Sequence, residues 1–323
     1  MTGGAGFVGS TTAQRLIEAG HQVTVLDSMV RGHEAAVPKT ARLVKGDIGD
    51  AALVEQTLRN DGIEAVLHCA GLTQVGESVQ QPDSYFQANV VAGLTMLDAM
   101  RSAGVKRIAF SSSAAVYGAP EKTPIDETQP MRPVNPYGET KRAFEGILDA
   151  YARAYDMAAV SLRYFNVAGA THDRGEDHEQ ETHLIPNILK AVTGGAPLKV
   201  FGTDYPTRDG TCVRDYIHID DLADAHLAAL QLTAQVTGSH VACNLGSGSG
   251  FTVTEVLAAA EKVVGGEVPH TLAGRREGDP PVLVASNQKA QELLGWTPKR
   301  GTLEEMIGSA WAWRQRHPDG YEE

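Results

Sequence analysis

The sequence predicts an α/β protein: a Rossmann-type, doubly wound parallel sheet with a smaller C-terminal α/β substrate domain. Three observations predict it. Short β-branched runs alternate with amphipathic helical stretches through the first half of the chain, the pattern of a parallel sheet covered on both faces. A glycine array, Gly3, Gly6 and Gly9, opens the first helical stretch. Asp27 closes the next strand, at about the 20-residue spacing of a dinucleotide-binding unit.

Each element follows from its local pattern. Residues 7–19 read as a helix ended by Gly20, and "HQVTVLD" as a buried strand. "ARLVKGD" is a strand, 51–60 a helix and "IEAVLHCAG" a strand leading into a polar loop. Residues 82–102 form a long helix with Pro82 in its first turn, a favoured place for proline. "KRIAFSSS" is a strand, 135–155 another long helix and "AAVSLRYFN" another strand. The pattern loosens after Asn166, where "ATHDRGEDHEQETH" is polar and aperiodic. Helices near 185–193, 220–232, 253–263 and 302–316 and strands near 198–202 and 240–245 complete the chain. The expected domains are 1–166, binding a dinucleotide, and 167–323, binding the substrate; residues 220–232 are a candidate to pack back on the first.

One feature departs from a Rossmann unit. A buried strand should precede the glycine loop, but Met1 directly precedes Thr2, so the first strand is read as missing. Three or four buried aliphatic side chains would be lost with it, at about 1.5–3 kcal/mol each. The expectation is that the natural chain begins several residues upstream.

Composition narrows the function. Of 323 residues 42% are hydrophobic and 21% charged, which suits a packed core. A formal charge of −12 argues against nucleic acid or an anionic membrane as partner. A phosphorylated ligand would need its own helix N-termini and arginines. Cys69, Cys212 and Cys243 fit neither a zinc pattern nor a CxxC pair, and read as small buried side chains in a reducing compartment. With no apolar leader-like segment and no membrane-length apolar run, the expected location is cytoplasmic.

The glycine array has a division of labour. Gly3 permits a tight turn, Gly6 lets a pyrophosphate approach the backbone, and Gly9 lets helix and strand pack closely. Asp27 can bond the adenosine ribose and would repel a 2′-phosphate, which favours NAD over NADP; Arg31 is a mild counter-signal. Asp47 is placed either to reach the adenine side or to cap the following helix.

"SSSAAVYG" (111–118) ends a strand, and "PYGETK" (136–141) starts a helix. Tyr137 and Lys141, four residues apart, share one helix face. At neutral pH a tyrosine base needs its pKa, ordinarily about 10, lowered by roughly 3 units, or about 4 kcal/mol. A lysine ammonium and a positive nicotinamide ring favour the phenolate. Ser113 can hold the reacting hydroxyl near Tyr137.

With "KGDI", "LRYFNVAGA", "DGTCVRDYIHIDDLADAH", "RREGD" and "RQRHPDGY", these motifs resemble, over nearly the whole chain, the UDP-glucose 4-epimerase family of extended short-chain dehydrogenases/reductases. The resemblance implies cofactor contacts at Phe7, Val8, Asp27, Asp47, Ile48, Ala70, Asn89, Lys141 and Phe165, and catalytic roles for Ser113 and Tyr137. It implies sugar-nucleotide contacts at Asn166, His183, Arg214, Arg276 and Asp279; guanidinium forks suit a diphosphate, the alternative being surface ion pairs. His183 stands where the family often has Asn. Leu283, four residues past Asp279, stands where larger aromatic residues favour plain hexoses, so UDP-N-acetylglucosamine is a candidate substrate beside UDP-glucose and UDP-galactose. The rivals are a UDP-pentose epimerase, a 4,6-dehydratase or decarboxylase, and a non-catalytic dinucleotide sensor. Ala114 and Ala115 lack the acid and base that the dehydratases carry before "VYG", and a sensor would lose the Tyr–Lys pair. His172, His178 and His183 lie among acidic residues at irregular spacing, and neither spacing nor resemblance implies a metal. The resemblance also implies a homodimer through helices 82–102 and 135–155, whose apolar residues beyond one stripe include Val90, Leu94, Leu97, Phe144, Ile147 and Leu148.

Overall fold

Strand–helix alternation produces one large parallel sheet with helices on both faces. The structure, a computed structural model, describes residues 1–276 and 279–322. Its first half runs α1 (Phe7–Glu18), β1 (Thr24–Asp27), β2 (Arg42–Lys45), α2 (Ala51–Asn60), β3 (Val66–His68), α3 (Val75–Gln80), α4 (Pro82–Phe86), α5 (Ala92–Ala103), β4 (Arg107–Ser113), α6 (Pro136–Tyr155) and β5 (Ala158–Tyr164). The second half runs β6 (Asn166–Ala168), α7 (Leu184–Val192), β7 (Leu198–Phe201), β8 (Val213–Arg214), β9 (Tyr216–His218), α8 (Ile219–Leu232), β10 (Ser239–Leu245), β11 (Phe251–Thr252), α9 (Val253–Val264), β12 (His270–Ala273), β13 (Val282–Leu283), α10 (Gln288–Leu294) and α11 (Leu303–Arg316).

The opening strand is short rather than missing. Thr2 bridges Leu26 of β1 on one side and His68 of β3 on the other, both in parallel. Thr2 N donates to Leu67 O at 3.0 Å, Cys69 N to Thr2 O at 3.0 Å, and Leu26 N to Met1 O at 2.8 Å. Two residues therefore join β2–β1 to β3–β4–β5–β10 in a single sheet. Strand order reverses at Thr2, so the crevice at the carboxyl ends of the flanking strands is where a Rossmann fold binds its ligand.

Pleating sorts the core. On β4, Ile108 and Phe110 face a cluster with Leu97, Met100, Phe144 and Leu148, while Ala109 faces a second cluster with Leu16, Leu162, Leu222 and Leu245, the alternation of successive side chains along a strand. The second cluster seats α8 beside α1, and β10 extends the sheet beyond β5. A separate core gathers α7, α9 and α11 around Ile188, Val256 and Ile307. Beside it lie the parallel pair β7–β12 and the three-stranded patch β11–β8–β13.

Three details differ from the sequence reading. The helix predicted over 82–102 is α4 and α5 joined by a π-helical turn, Gln87–Val91. The short helices α3 and α10 carry too few residues for a periodic signal. Of the six apolar residues assigned to a face beyond one stripe, Leu97, Phe144 and Leu148 are core; Leu94 is exposed, as are Phe86 and Val91. Residues 170–183, read as aperiodic, contain no helix or strand. Among the described residues no helix is long and apolar enough to cross a membrane.

Candidate active site

The glycine loop separates what packing requires from what a ligand requires. Gly3 holds φ +69°, and a Cβ there would lie 2.5 Å from Ala70 N. A Cβ on Gly9 would lie 2.0 Å from Gly3 O. A Cβ on Gly6 would meet only Gly3 O, at 3.6 Å. Protein contacts thus demand the first two glycines but not Gly6. Gly6 is also the N-cap of α1 and offers no side-chain cap, which leaves the first-turn N–H groups, with Phe7 and Val8 among them, available to an anion.

The carboxylates fall into place around this loop. Asp27 is buried; its Oδ2 accepts from Ala5 N and its Oδ1 from Met29 N, both at 2.9 Å. Arg31 is committed to Glu77 at 2.6 Å, which takes up the one cation that argued for a 2′-phosphate. Asp47 does not cap α2. That role belongs to Asp50, which accepts from Leu53 N at 3.0 Å, while Asp47 accepts from Gly49 N at 2.6 Å. Ile48 beside it is buried in the core. An uncapped helix start, a glycine that packing does not require and a carboxylate ending the next strand fit a dinucleotide.

The three serines at the end of β4 are distinguished by the pleat. Ser111 bonds His226 Nε2 at 2.7 Å and Cys69 Sγ at 3.0 Å, and Ser112 donates to Glu145 at 2.5 Å. Only Ser113 is left at the strand tip, accepting from Ala115 N at 3.2 Å as the cap of a 3-10 turn. Asn135 caps α6 through Gly138 N at 2.8 Å, with Pro136 in the first turn, and this sets Tyr137 at the helix start. Burial pushes the Tyr137 hydroxyl above its ordinary pKa, and the Ser113 hydroxyl pulls it back down. Lys141 Nζ donates to Ser111 O at 2.9 Å and lies 5.8 Å from the Tyr137 ring centre. Burial lowers its pKa to about 8 against the pull of Cys69 and Glu145. Spacing alone would set the ammonium directly on the phenol; here it is anchored to the strand backbone.

Asn89 sits in the π-helical turn, a device frequent at functional sites. Its amide donates to Leu72 O (2.9 Å) and Thr140 Oγ1 (3.1 Å), and its Oδ1 accepts from Leu72 N (2.8 Å). Thr140 in turn donates to Tyr137 O at 2.7 Å. Asn89 therefore fixes the 70–72 loop, with Ala70 against the glycine turn, to the helix that carries Tyr137. The sequence reading passed over Thr140 because a threonine inside a helix carries no signal of its own.

The substrate-side candidates form a second group. Arg214 forms an ion pair with Asp279, and its Nη1 donates to Val213 O at 2.8 Å. Leu283 stands opposite Arg214 in the β8–β13 register. Arg276 is exposed and lies over the Phe201 ring, 4.0 Å from its centre. Asn166 Nδ2 donates to Asp215 O at 2.9 Å. Phe165, Ala114 and Leu283 share one apolar cluster, which joins the tip of β4 to the Arg214 patch. His183 is placed elsewhere in bonding terms: its Nδ1 meets Glu176.

Comparison with known proteins identifies the family. The model of the NAD dependent epimerase/dehydratase family matches residues 1–246. The UDP-glucose 4-epimerase of Corynebacterium glutamicum is 49% identical over 313 residues, covering 97% of this chain and 94% of that protein. That of Lactobacillus helveticus is 47% identical over 326 residues, covering 100% and 98%. The crystal structure of UDP-glucose 4-epimerase from Brucella ovis in complex with NAD superposes with a TM-score of 0.93 at 42% identity, covering 96% of each chain. A glycine loop built for a dinucleotide, a Ser–Tyr–Lys group at the sheet edge and similarity along the full length lead to one assignment: the chain belongs to the NAD dependent epimerase/dehydratase family.

Proposed function

We propose that the chain is a UDP-glucose 4-epimerase that interconverts UDP-galactose and UDP-glucose with bound NAD. The observation that carries this is the tip of β4. Ser113 and Tyr137 share that end of the sheet, and the next two positions, Ala114 and Ala115, hold no acid or base for an elimination. NAD held by the glycine loop and Asp27 would supply a reversible hydride acceptor for C4 of the hexose. Tyr137, as the phenolate, would take the O4 proton as C4 becomes a ketone and, as the phenol, return it when the ketone is reduced on the other face. Ser113 holds O4 toward the phenol. Lys141, charged and buried, holds positive potential under the site. Arg214, Arg276, Asp279 and Asn166 anchor the nucleotide while the sugar turns over; His183, bonded to Glu176, is not part of that group. Phe7, Val8, Asp27, Asp47, Ile48, Ala70 and Phe165 line the dinucleotide site, which Asn89 braces, and no net oxidation results.

Leu283 in place of a larger residue supports a second substrate, UDP-N-acetylglucosamine. Three free cysteines support a cytoplasmic location, and the exposed apolar residues of α4, the π-helical turn and α5 support a homodimer. The domain division proposed is 1–166 and 167–323. The test is incubation with UDP-galactose and chromatographic separation of the products, for wild type and Tyr137→Phe. Wild type converts it; the variant keeps its NAD content and circular dichroism but loses turnover by at least about 10²-fold. No conversion by wild type would sink the assignment, and near-normal turnover by the variant would remove Tyr137 as the base.

A further inference from the structure

Four side chains outside the catalytic group converge just before α7: Glu176, His178, Glu181 and His183. One ligating atom from each lies within 4.8 Å of every other. Both imidazoles present the same ring atom. His178 Nδ1 is 3.3 Å from Glu176 Oε1 and 3.6 Å from Glu181 Oε2; His183 Nδ1 is 3.6 Å from Glu181 Oε1 and meets Glu176 Oε1 as well. Four ligands at about 2.0–2.1 Å around a tetrahedral ion stand about 3.3–3.4 Å apart, near the separation of three of these four pairs, while His183 and Glu176 stand closer and would have to part to admit the ion.

Burial makes the arrangement unusual. The Glu176 and Glu181 side chains are only 6% and 2% exposed, and buried carboxylates need a compensating charge. Among the described residues no lysine or arginine pairs with either. Among those residues the only partners are the two imidazoles and, for Glu181 Oε1, the backbone N–H groups of Thr182 (2.8 Å) and His183 (2.7 Å). Those N–H bonds orient the carboxylate from behind, as outer-shell donors do at metal sites. His172, by contrast, is exposed and turned to Asp173, so the cluster selects two of the three histidines of the segment.

We propose that Glu176, His178, Glu181 and His183 form a site for one divalent transition metal ion of the zinc type. Two carboxylates cancel its charge, and two neutral imidazoles with two carboxylates are a donor set suited to zinc. All four positions are filled by protein, so the ion is structural: it staples residues 169–183, which have no helix or strand, to the start of α7. The site does not depend on the epimerase assignment. The rival occupant is a pair of protons. Two imidazolium rings would then face each other at 5.8 Å between centres, a like-charge contact that a single ion removes.

The test uses the untagged full chain, treated with chelator and then titrated with Co²⁺ under visible absorption and with Zn²⁺ in a calorimeter. The expected result is one equivalent per chain, with the strong d–d absorption of four-coordinate Co²⁺, displaced by Zn²⁺. His178→Ala and Glu181→Gln should each weaken binding at least about 10-fold, and His172→Ala should not. A wild-type chain that gives no saturable four-coordinate Co²⁺ spectrum overturns the proposal and leaves the cluster proton-held. So does a spectrum undiminished in both His178→Ala and Glu181→Gln. Should those variants fail to fold, the wild-type spectrum alone decides.

Discussion

Lys141 carries a charge that burial disfavours, and its cost is measurable. Its pKa is lowered to about 8 from 10.5 by burial. Below pH 8 folded and unfolded chains both hold the proton, and the folded state bears the whole penalty. Between about pH 8 and 10.5 the folded chain releases its proton first, so the unfolded state binds more protons and stability rises with pH. The gap between the two pKa values amounts to about 3 kcal/mol. Lys141→Met removes this contribution, so its stability relative to wild type should fall by about 3 kcal/mol as pH rises from 7.5 to 10.5, read from urea unfolding of cofactor-free protein. A difference flat across that range would mean the ammonium is solvated. Leu283 supports a second residue-level expectation. It is half-buried beside Phe165 and stands opposite Arg214, so Leu283→Tyr narrows the pocket. Turnover of UDP-N-acetylglucosamine should fall at least about 10-fold, the scale of a lost steric fit, while UDP-galactose turnover stays within a few-fold. Equal effects on both sugars would remove Leu283 from specificity.

At the scale of the element, the glycine loop allows folding and binding to be separated. A methyl on Gly9 collides with Gly3 O, whereas a methyl on Gly6 meets nothing closer than 3.6 Å. Gly6→Ala should therefore change stability by no more than about 1 kcal/mol, the scale of an N-cap substitution, and still purify without NAD. Gly9→Ala should lose stability and NAD together. If Gly6→Ala retains NAD at the wild-type level, the phosphate does not approach that backbone. This loop was legible in sequence because glycine spacing encodes backbone geometry directly, and so was the Tyr137–Lys141 face. Other parts were not. Two residues cannot show a strand period, so the role of Met1 and Thr2 depends on partners 24 and 66 residues away. Three consecutive serines look alike until the pleat sends Ser111 to His226 and Ser112 to Glu145. A π-helical turn leaves no mark in a hydrophobic period, yet it sets Asn89 against the 70–72 loop. The grouping of Glu176, His178, Glu181 and His183 before α7 was not assembled from the sequence, which weighed only the histidines of that segment, because its spacing of two, three and two residues matches no regular element; only the fold of an aperiodic segment brings the four together. The ion pair of Arg214 with Asp279 was also hidden, since the two are 65 residues apart.

At the scale of the whole molecule, the surface raises the question of a second copy. Val91 and Leu94 are 46% and 36% exposed, with Phe86 nearby in sequence at 38%. They project from α4, the π-helical turn and α5, whose other faces, through Tyr85, Leu97 and Met100, are committed to the core. Two chains of formal charge −12 repel one another at low ionic strength, so an apolar contact has to supply the attraction. Burying these side chains in a symmetric pair would count each of them twice. The expected state is a dimer, with light scattering at micromolar concentration giving twice the chain mass of 34.4 kDa. Replacing Val91 and Leu94 together by Asp places four carboxylates in that contact and should yield a monomer with unchanged circular dichroism and bound NAD. Leu97→Asp, one turn along the same helix but inside the core, should instead unfold the chain, because an unpaired charge there has no water to reach. The contrast between the two substitutions separates an interface from a core. A wild-type monomer at micromolar concentration, or a Val91/Leu94 double variant that remains dimeric, would show that this face does not join two copies.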